Sequence, residues 1–324
     1  MLFTFELNPD GQTYSVRAKT TDLPNDVVIP SYHHNDFDHK VTVDVANPYF
    51  TVSKNLIYTA DKSTVVGYAG NNNSRSAATI TIDEGTSAIR ENAFTGSEAL
   101  YKISIPASVT NIPDNMAVNS HLQNIDIAEN NPAYMCYNNT VLLNKEGTSV
   151  IKVANYGANI EIPDGVESIS PYAAYGIKAV NVKLPETLKE IPDSAFYNCT
   201  SLTGIAIPSG VSRIGNSAFQ NCTSLKSVTI GSEDNGTCAL TSLGEKAFAG
   251  CTNISEVTVH KTEPPTAPAS AFDNYNATLT VAKGAKADYQ NAGTEQAWAN
   301  FAQINEPTPT AIEKSYLTAT MMSA

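Results

Sequence analysis

Five cysteines and five histidines are the residues of this 324-residue chain whose types lend themselves to chemistry. Three of the thiols recur in one phrase, Cys199 in "AFYNCT", Cys222 in "AFQNCT" and Cys251 in "AFAGCT". If the phrases stack on adjacent coils, these thiols lie about 4.8 Å apart, inside the Cα range of a disulfide. Parallel stacking points the Cβ atoms the same way, however, and keeps them beyond the roughly 3.8 Å a disulfide prefers. Small, buried, free thiols are the expected state. Cys136 and Cys238 lie in other contexts, and neither a CxxC pair nor a Cys/His zinc spacing occurs.

The metal candidate is "HHNDFDH", which packs His33, His34, Asp36, Asp38 and His39 together. Three imidazoles and two carboxylates suit zinc or nickel. Adjacent histidines on a strand point apart, so a polar loop of the first coil is the plainer reading, and no metal or other cofactor is expected. GxSxG, the phosphate-binding glycine loops and the EF-hand loop are all missing, so no catalytic residue is assigned and an enzyme is not expected.

Composition narrows the partners. A formal charge of −12, from 20 basic and 32 acidic residues, repels phosphate backbones and anionic lipid heads. Neither nucleic acid nor membrane insertion is expected. The opening "MLFTFELNPDGQTYSVRAKT" has no basic start followed by an apolar core. That fits a cytoplasmic protein, and equally an exported one whose leader has been removed.

The elements that would position any site come from a repeat. Phe196 to Phe219 and Cys199 to Cys222 each span 23 residues, and Phe219 to Phe248 and Cys222 to Cys251 each span 29. A second interval of seven runs from Ile82 to Ile89, Ile105 to Ile112, Ile162 to Ile169, Leu184 to Ile191 and Ile207 to Ile214. Each copy carries an "IxI" piece that alternates in and out, as Ile205 and Ile207 flank Ala206, so it reads as a short strand. Pro106, Pro163, Pro185 and Pro208 end those strands, because proline has no N–H for the ladder. The "AFxxC" piece is too short for an independent helix and reads as a tight turn. One copy cannot bury its apolar side alone, so copies stack into a solenoid, with Phe94, Phe196, Phe219, Phe248 and Phe272 forming a spine. Ten strands are expected, near 41–45, 80–82, 103–105, 125–127, 160–162, 182–184, 205–207, 228–230, 257–259 and 279–281.

These residues resemble the BspA-type leucine-rich repeat family of bacterial surface proteins, whose consensus is similar to "IPxxVxxIgxxAFxxCxxLxxIxIP". The likeness runs from about Val28 to Phe301. "NPAYMCYNNTVLLNKEGTSVI" resembles a hairpin variant of the same family, and "LTVAKGAKADYQNAGTEQAWANF" resembles the cap that follows such arrays in Bacteroides-like gut bacteria. The resemblance implies a secreted or cell-surface, non-catalytic binding protein, some relatives being adhesins for host matrix proteins or other cells. A glycan-binding part of nutrient capture is the alternative.

The expected fold is therefore a mainly β repeat solenoid, a leucine-rich-repeat right-handed superhelix with one short strand per coil and turns or 3₁₀ segments opposite. Residues 1–27 form an N-terminal β-hairpin cap and 28–282 the solenoid, from which hairpins at about 47–69 and 131–154 project. Residues 283–304 form a helical C-terminal cap, and 305–324 a linker or tail. Binding to a protein or glycan macromolecule is assigned to the outward strand positions, a concave stripe of Lys102 and Ser104, Asn124 and Asp126, Asn181 and Lys183, Gly204 and Ala206, Ser227 and Thr229, Glu256 and Thr258. The plainer alternative is that these are merely solvated strand residues.

Overall fold

The computed structural model describes residues 3–7, 13–18, 40–43, 49–69, 78–97, 99–118, 120–155, 157–232 and 238–307. The histidine-rich run His33 to His39 lies outside them. The molecule is a mainly β solenoid. Phe3–Leu7 and Thr13–Ala18 pair as an antiparallel hairpin, to which Lys40–Val43 adds in parallel. Ala78–Thr81, Leu100–Ile105 and Asn124–Ile127 make a three-stranded parallel sheet. Asn159–Glu161, Asn181–Lys183, Gly204–Ile207, Ser227–Ile230, Glu256–Val259, Thr278–Val281 and Gln303–Asn305 make a seven-stranded one.

The alternation read from "IxI" sets the register. Ile205, Val228, Val257, Leu279 and Ile304 stand opposite one another down the inward face, all buried. The seven-residue interval has its own structural meaning. Its second member lies in a two-residue strand at Ile89, Ile169, Ile191 and Ile214 but not at Ile112, and Glu190–Ile191, Arg213–Ile214 and Ser242–Leu243 form a second parallel ladder.

The turns around Phe196, Phe219 and Phe248 are not helical because each holds two left-handed residues. The first precedes the phenylalanine by two, at Ser194 (φ 56°), Ser217 (φ 54°) and Lys246 (φ 55°). The second follows it by two, at Asn198 (φ 60°), Asn221 (φ 62°) and Gly250 (φ 74°). Asparagine and glycine tolerate that conformation best, so the Asn-x-Thr triplets at Asn198 and Asn221 are explained by backbone geometry.

Phe196, Phe219, Phe248 and Phe272 stack face to face, with successive ring centroids 5.1, 5.1 and 5.0 Å apart. Phe94 is not part of this spine. It sits in a separate core with Leu100, Ile103 and Met116. In the coil before Phe196 the spine position is taken by Ala174, whose N–H bonds to Ala195 O as that of Phe196 bonds to Ala218 O.

The two units expected to project as hairpins are instead three-stranded meanders whose middle strands are packed into the body. The first runs through Phe50–Ser53, Leu56–Thr59 and Thr64–Tyr68, the second through Tyr134–Tyr137, Val141–Asn144 and Ser149–Val153. Their middle strands carry consecutive buried residues, Leu56, Ile57 and Tyr58 in one and Val141, Leu142 and Leu143 in the other. A strand apolar on both faces must be covered on both, so it cannot stand away from the body. In the second meander Val141 and Leu143 join the C-terminal core while Leu142 joins the N-terminal one. This meander is thus the wall between two hydrophobic cores.

Asn131, fully buried, anchors that wall. Its amide donates to Pro106 O at 3.0 Å and Val109 O at 2.9 Å, and its oxygen accepts from the N–H groups of Ala133 and Tyr134 at 2.9 Å. At the C-terminal end Lys286–Gln290 is a short α-helix and Ala297–Asn300 a 3₁₀ turn. Trp298 packs on Phe272 at 6.0 Å and gives its indole N–H to Pro265 O at 2.6 Å, closing the core. The strand Gln303–Asn305 then extends the sheet, where the sequence pattern shows only the end of a cap.

Candidate functional site: the outward face of the strands

Every residue of the expected stripe is exposed or half-buried on the outward side of its strand. The stripe is nevertheless not continuous. Lys102 stands opposite Asn124 and Ser104 opposite Asp126 in the three-stranded sheet. The other members belong to the seven-stranded sheet, where Asn181 faces Gly204, Gly204 faces Ser227 and Ser227 faces Glu256, while Ala206 faces Thr229 and Thr229 faces Thr258. The second meander lies between the two sheets in sequence and takes the place where a coil would have carried the row across.

The same face includes outward residues that the period-two reading missed. Thr79 and Thr81 pair with Lys102 and Ser104 at one sheet. Asn159, Glu161, Thr278, Thr280, Gln303 and Asn305 lie on the other. Their alternation in "ITI", "NIEI" and "TLTV" is the signal that identifies them.

The face is polar and largely paired with itself. Lys183 Nζ lies 2.6 Å from Glu161 Oε1, which holds its ammonium protonated beyond the ordinary lysine range. Asn181 Nδ2 donates to Asn159 Oδ1 at 2.8 Å. In the first sheet Asp126 Oδ2 takes both Lys102 Nζ at 3.2 Å and Ser104 Oγ at 3.3 Å. Gly204 leaves a notch in the row, since a Cβ there would approach Ser227 Oγ to 2.8 Å. A cleft of about 520 Å³ opens where the seven-stranded sheet begins, lined by Asn138, Thr140, Asn159, Ile160, Glu161, Asn181 and Lys183.

The three repeat thiols are inside the molecule. Cys199, Cys222 and Cys251 are free and buried, donating to the carbonyls of Ala174, Phe196 and Phe219 at 3.1, 3.2 and 3.0 Å. The thiol on the preceding coil pushes Cys222 and Cys251 well above the ordinary value, with burial adding to it. Among the described residues no group of three His, Cys, Asp or Glu side chains is placed to hold a metal ion. No helix among them is long and apolar enough to cross a membrane.

A family model for the BspA type leucine rich repeat region matches six copies, over residues 51–145 and 154–280. The chain belongs to the BspA-type leucine-rich repeat family. The break between the two matched spans falls inside the wall meander. Among solved structures, the pneumococcal vaccine antigen PcpA is 15% identical over 95% of this chain and 98% of its own, with a TM-score of 0.50. A leucine-rich repeat protein from Eubacterium ventriosum is 19% identical over 96% of this chain and 95% of its own, with a TM-score of 0.47. One from Bacteroides ovatus is 16% identical over 87% and 77%, with a TM-score of 0.37. Comparison with curated proteins found no match. At 15% identity the likeness to PcpA shows the fold alone.

Proposed function

We propose that this BspA-type array is an exported, non-catalytic binding module, displayed at the cell surface or secreted, that recognises a macromolecule through the outward face of its strands. The observation that carries this reading is the row of hydroxyl, amide, small and charged side chains across seven parallel strands, in register from Asn159 to Gln303 and, in the second row, from Ala206 to Asn305. A long, rigid, polar surface suits an extended partner better than an apolar small molecule. Glycan capture is the weaker reading, because no aromatic ring stands at an outward strand position of this sheet to stack on a sugar.

Binding of the purified chain to immobilised host matrix proteins, to bacterial cells and to a polysaccharide array tests the reading. Ala206→Arg combined with Thr229→Arg puts two bulky cations on the middle of the face without touching the core. The double variant should lose macromolecular binding at least tenfold while keeping the circular dichroism of the parent. Unchanged binding would remove the strand face from consideration.

A further inference from the structure

The seven-stranded sheet has an open first edge. Asn159–Glu161 pairs with Asn181–Lys183 on one side and with no strand on the other. In a parallel ladder the N–H and C=O of one residue point to the same neighbour, and successive residues alternate. The Ile162 N–H reaches Lys183 O at 3.0 Å, so Ile160 and Ile162 face the following coil. The main-chain groups of Asn159 and Glu161 therefore point the opposite way, towards the cleft, and among the described residues none accepts or donates to them there.

The facing boundary is treated differently. The turn of the wall meander comes up to the last strand of the preceding sheet and caps it, Asn139 O accepting the Ile125 N–H at 2.8 Å. Thr140 O is likewise spent on the Ala154 N–H at 2.7 Å. The turn thus closes one sheet edge and leaves the other bare, with the 520 Å³ cleft between Thr140 and Asn159 as the space a missing strand would take.

We propose that this edge takes an extended peptide segment of a partner protein, added as a strand beside Asn159–Glu161. Main-chain pairing to Asn159 and Glu161 supplies the contact common to all such peptides. Selectivity comes from the lining. Residues of the guest that point inward meet Ile160 and Thr140 and are small or β-branched. Those that point outward lie beside Asn159 and the Glu161–Lys183 ion pair and are polar. A peptide is favoured over a sugar because the open groups are a strand's alternating donors and acceptors, and no aromatic ring lines the cleft. The proposal rests on the chain being a binding module and names the partner's form.

The probe is a displayed library of random seven-residue peptides selected on the full chain. The selected peptides are resynthesised with single N-methyl groups at successive amides. Strand addition predicts that binding falls at least tenfold when alternate amides are methylated and is unchanged at the amides between. Asn159→Pro, which removes an edge N–H that the ladder does not use, and Thr140→Arg, which fills the cleft from outside the strand, should each weaken binding at least tenfold. Thr140→Arg keeps the test valid if the proline variant fails to fold. No enrichment of peptides, an effect of N-methylation that does not alternate, or retention of oligosaccharides in place of peptides at the same cleft overturns the proposal. Macromolecular binding lost on Ala206→Arg with Thr229→Arg, yet untouched by Thr140→Arg, overturns strand addition while leaving the strand face as the site.

Discussion

Lys152, a buried cation without a carboxylate, donates from Nζ to the main-chain oxygen of Tyr172 across 3.3 Å. It stands opposite Leu142, past a bulge that separates it from the face of Val150 and Leu143, and its ammonium reaches the coil that carries Ala174. The spine position nearest to it holds alanine where the following coils hold phenylalanine.

Burial pushes the Lys152 ammonium down from the ordinary 10.5 to about 8. The unfolded chain keeps the ordinary value, so between those two pH values it binds a proton that the folded chain does not. Stability contributed by this group therefore rises with pH from about 8 to 10.5, and below 8 the cost of the buried charge stands in full. Lys152→Met should raise stability at pH 7 by about 2 kcal/mol and flatten the rise across that window. Urea unfolding of both proteins at several pH values checks it, and parallel profiles would contradict it.

The same geometry predicts strong coupling with Ala174. Ala174→Phe alone forces a ring into a fully buried position and should destabilise by about 1–3 kcal/mol. In the background of Lys152→Ala the ring can continue the Phe196 stack, and the double variant should be more stable than either single one. A double-mutant cycle from denaturant midpoints gives the coupling, and additive effects would show that the two positions do not share space.

Cys199, Cys222 and Cys251 should stay unmodified by an aromatic disulfide reagent at pH 8 in the folded protein and react once it is unfolded. Half-buried Cys238 should be the first to label. Cys136, pushed up to about 12 by burial and then by the charge of Asp126, should follow slowly. Mass spectrometry of the labelled peptides reads the order directly. Early labelling of Cys222 would refute the ladder of buried thiols.

In the N-terminal core Ser97 stands where the later coils place those thiols, three residues after Phe94, and its hydroxyl is buried without a hydrogen-bond partner. An unmet buried hydroxyl costs about 1–3 kcal/mol. Ser97→Cys should therefore stabilise the chain by about 1 kcal/mol, seen as a higher urea midpoint at unchanged slope. A lower midpoint would mean that the hydroxyl is satisfied in solution.

The strand positions were legible in the sequence because their signal is local. A buried residue at every second position and a proline after it mark Ile205 and Ile207 as clearly as any contact does. The meanders were less legible. "TVLLN" reads as one apolar run, and only the packing shows that Leu142 and its neighbours Val141 and Leu143 turn to different cores. The break in the outward stripe was hidden for the same reason, since no residue type announces that a turn, Asn138 to Thr140, will stand where the next strand is due. Lys152 carried no signal either. It becomes unusual only beside the Tyr172 carbonyl, and that neighbourhood is made by two different coils.

The wall meander also changes how the molecule comes apart. Each of its faces seals a different compartment, so water entering through one end meets Leu142 or Val141 before it reaches the other half. The structure behaves as a hull with a bulkhead. Fraying of the first coils should therefore leave the stretch from Asn159 to Asn305 dry and its amides protected from exchange, so that the longer sheet outlives damage to the shorter one.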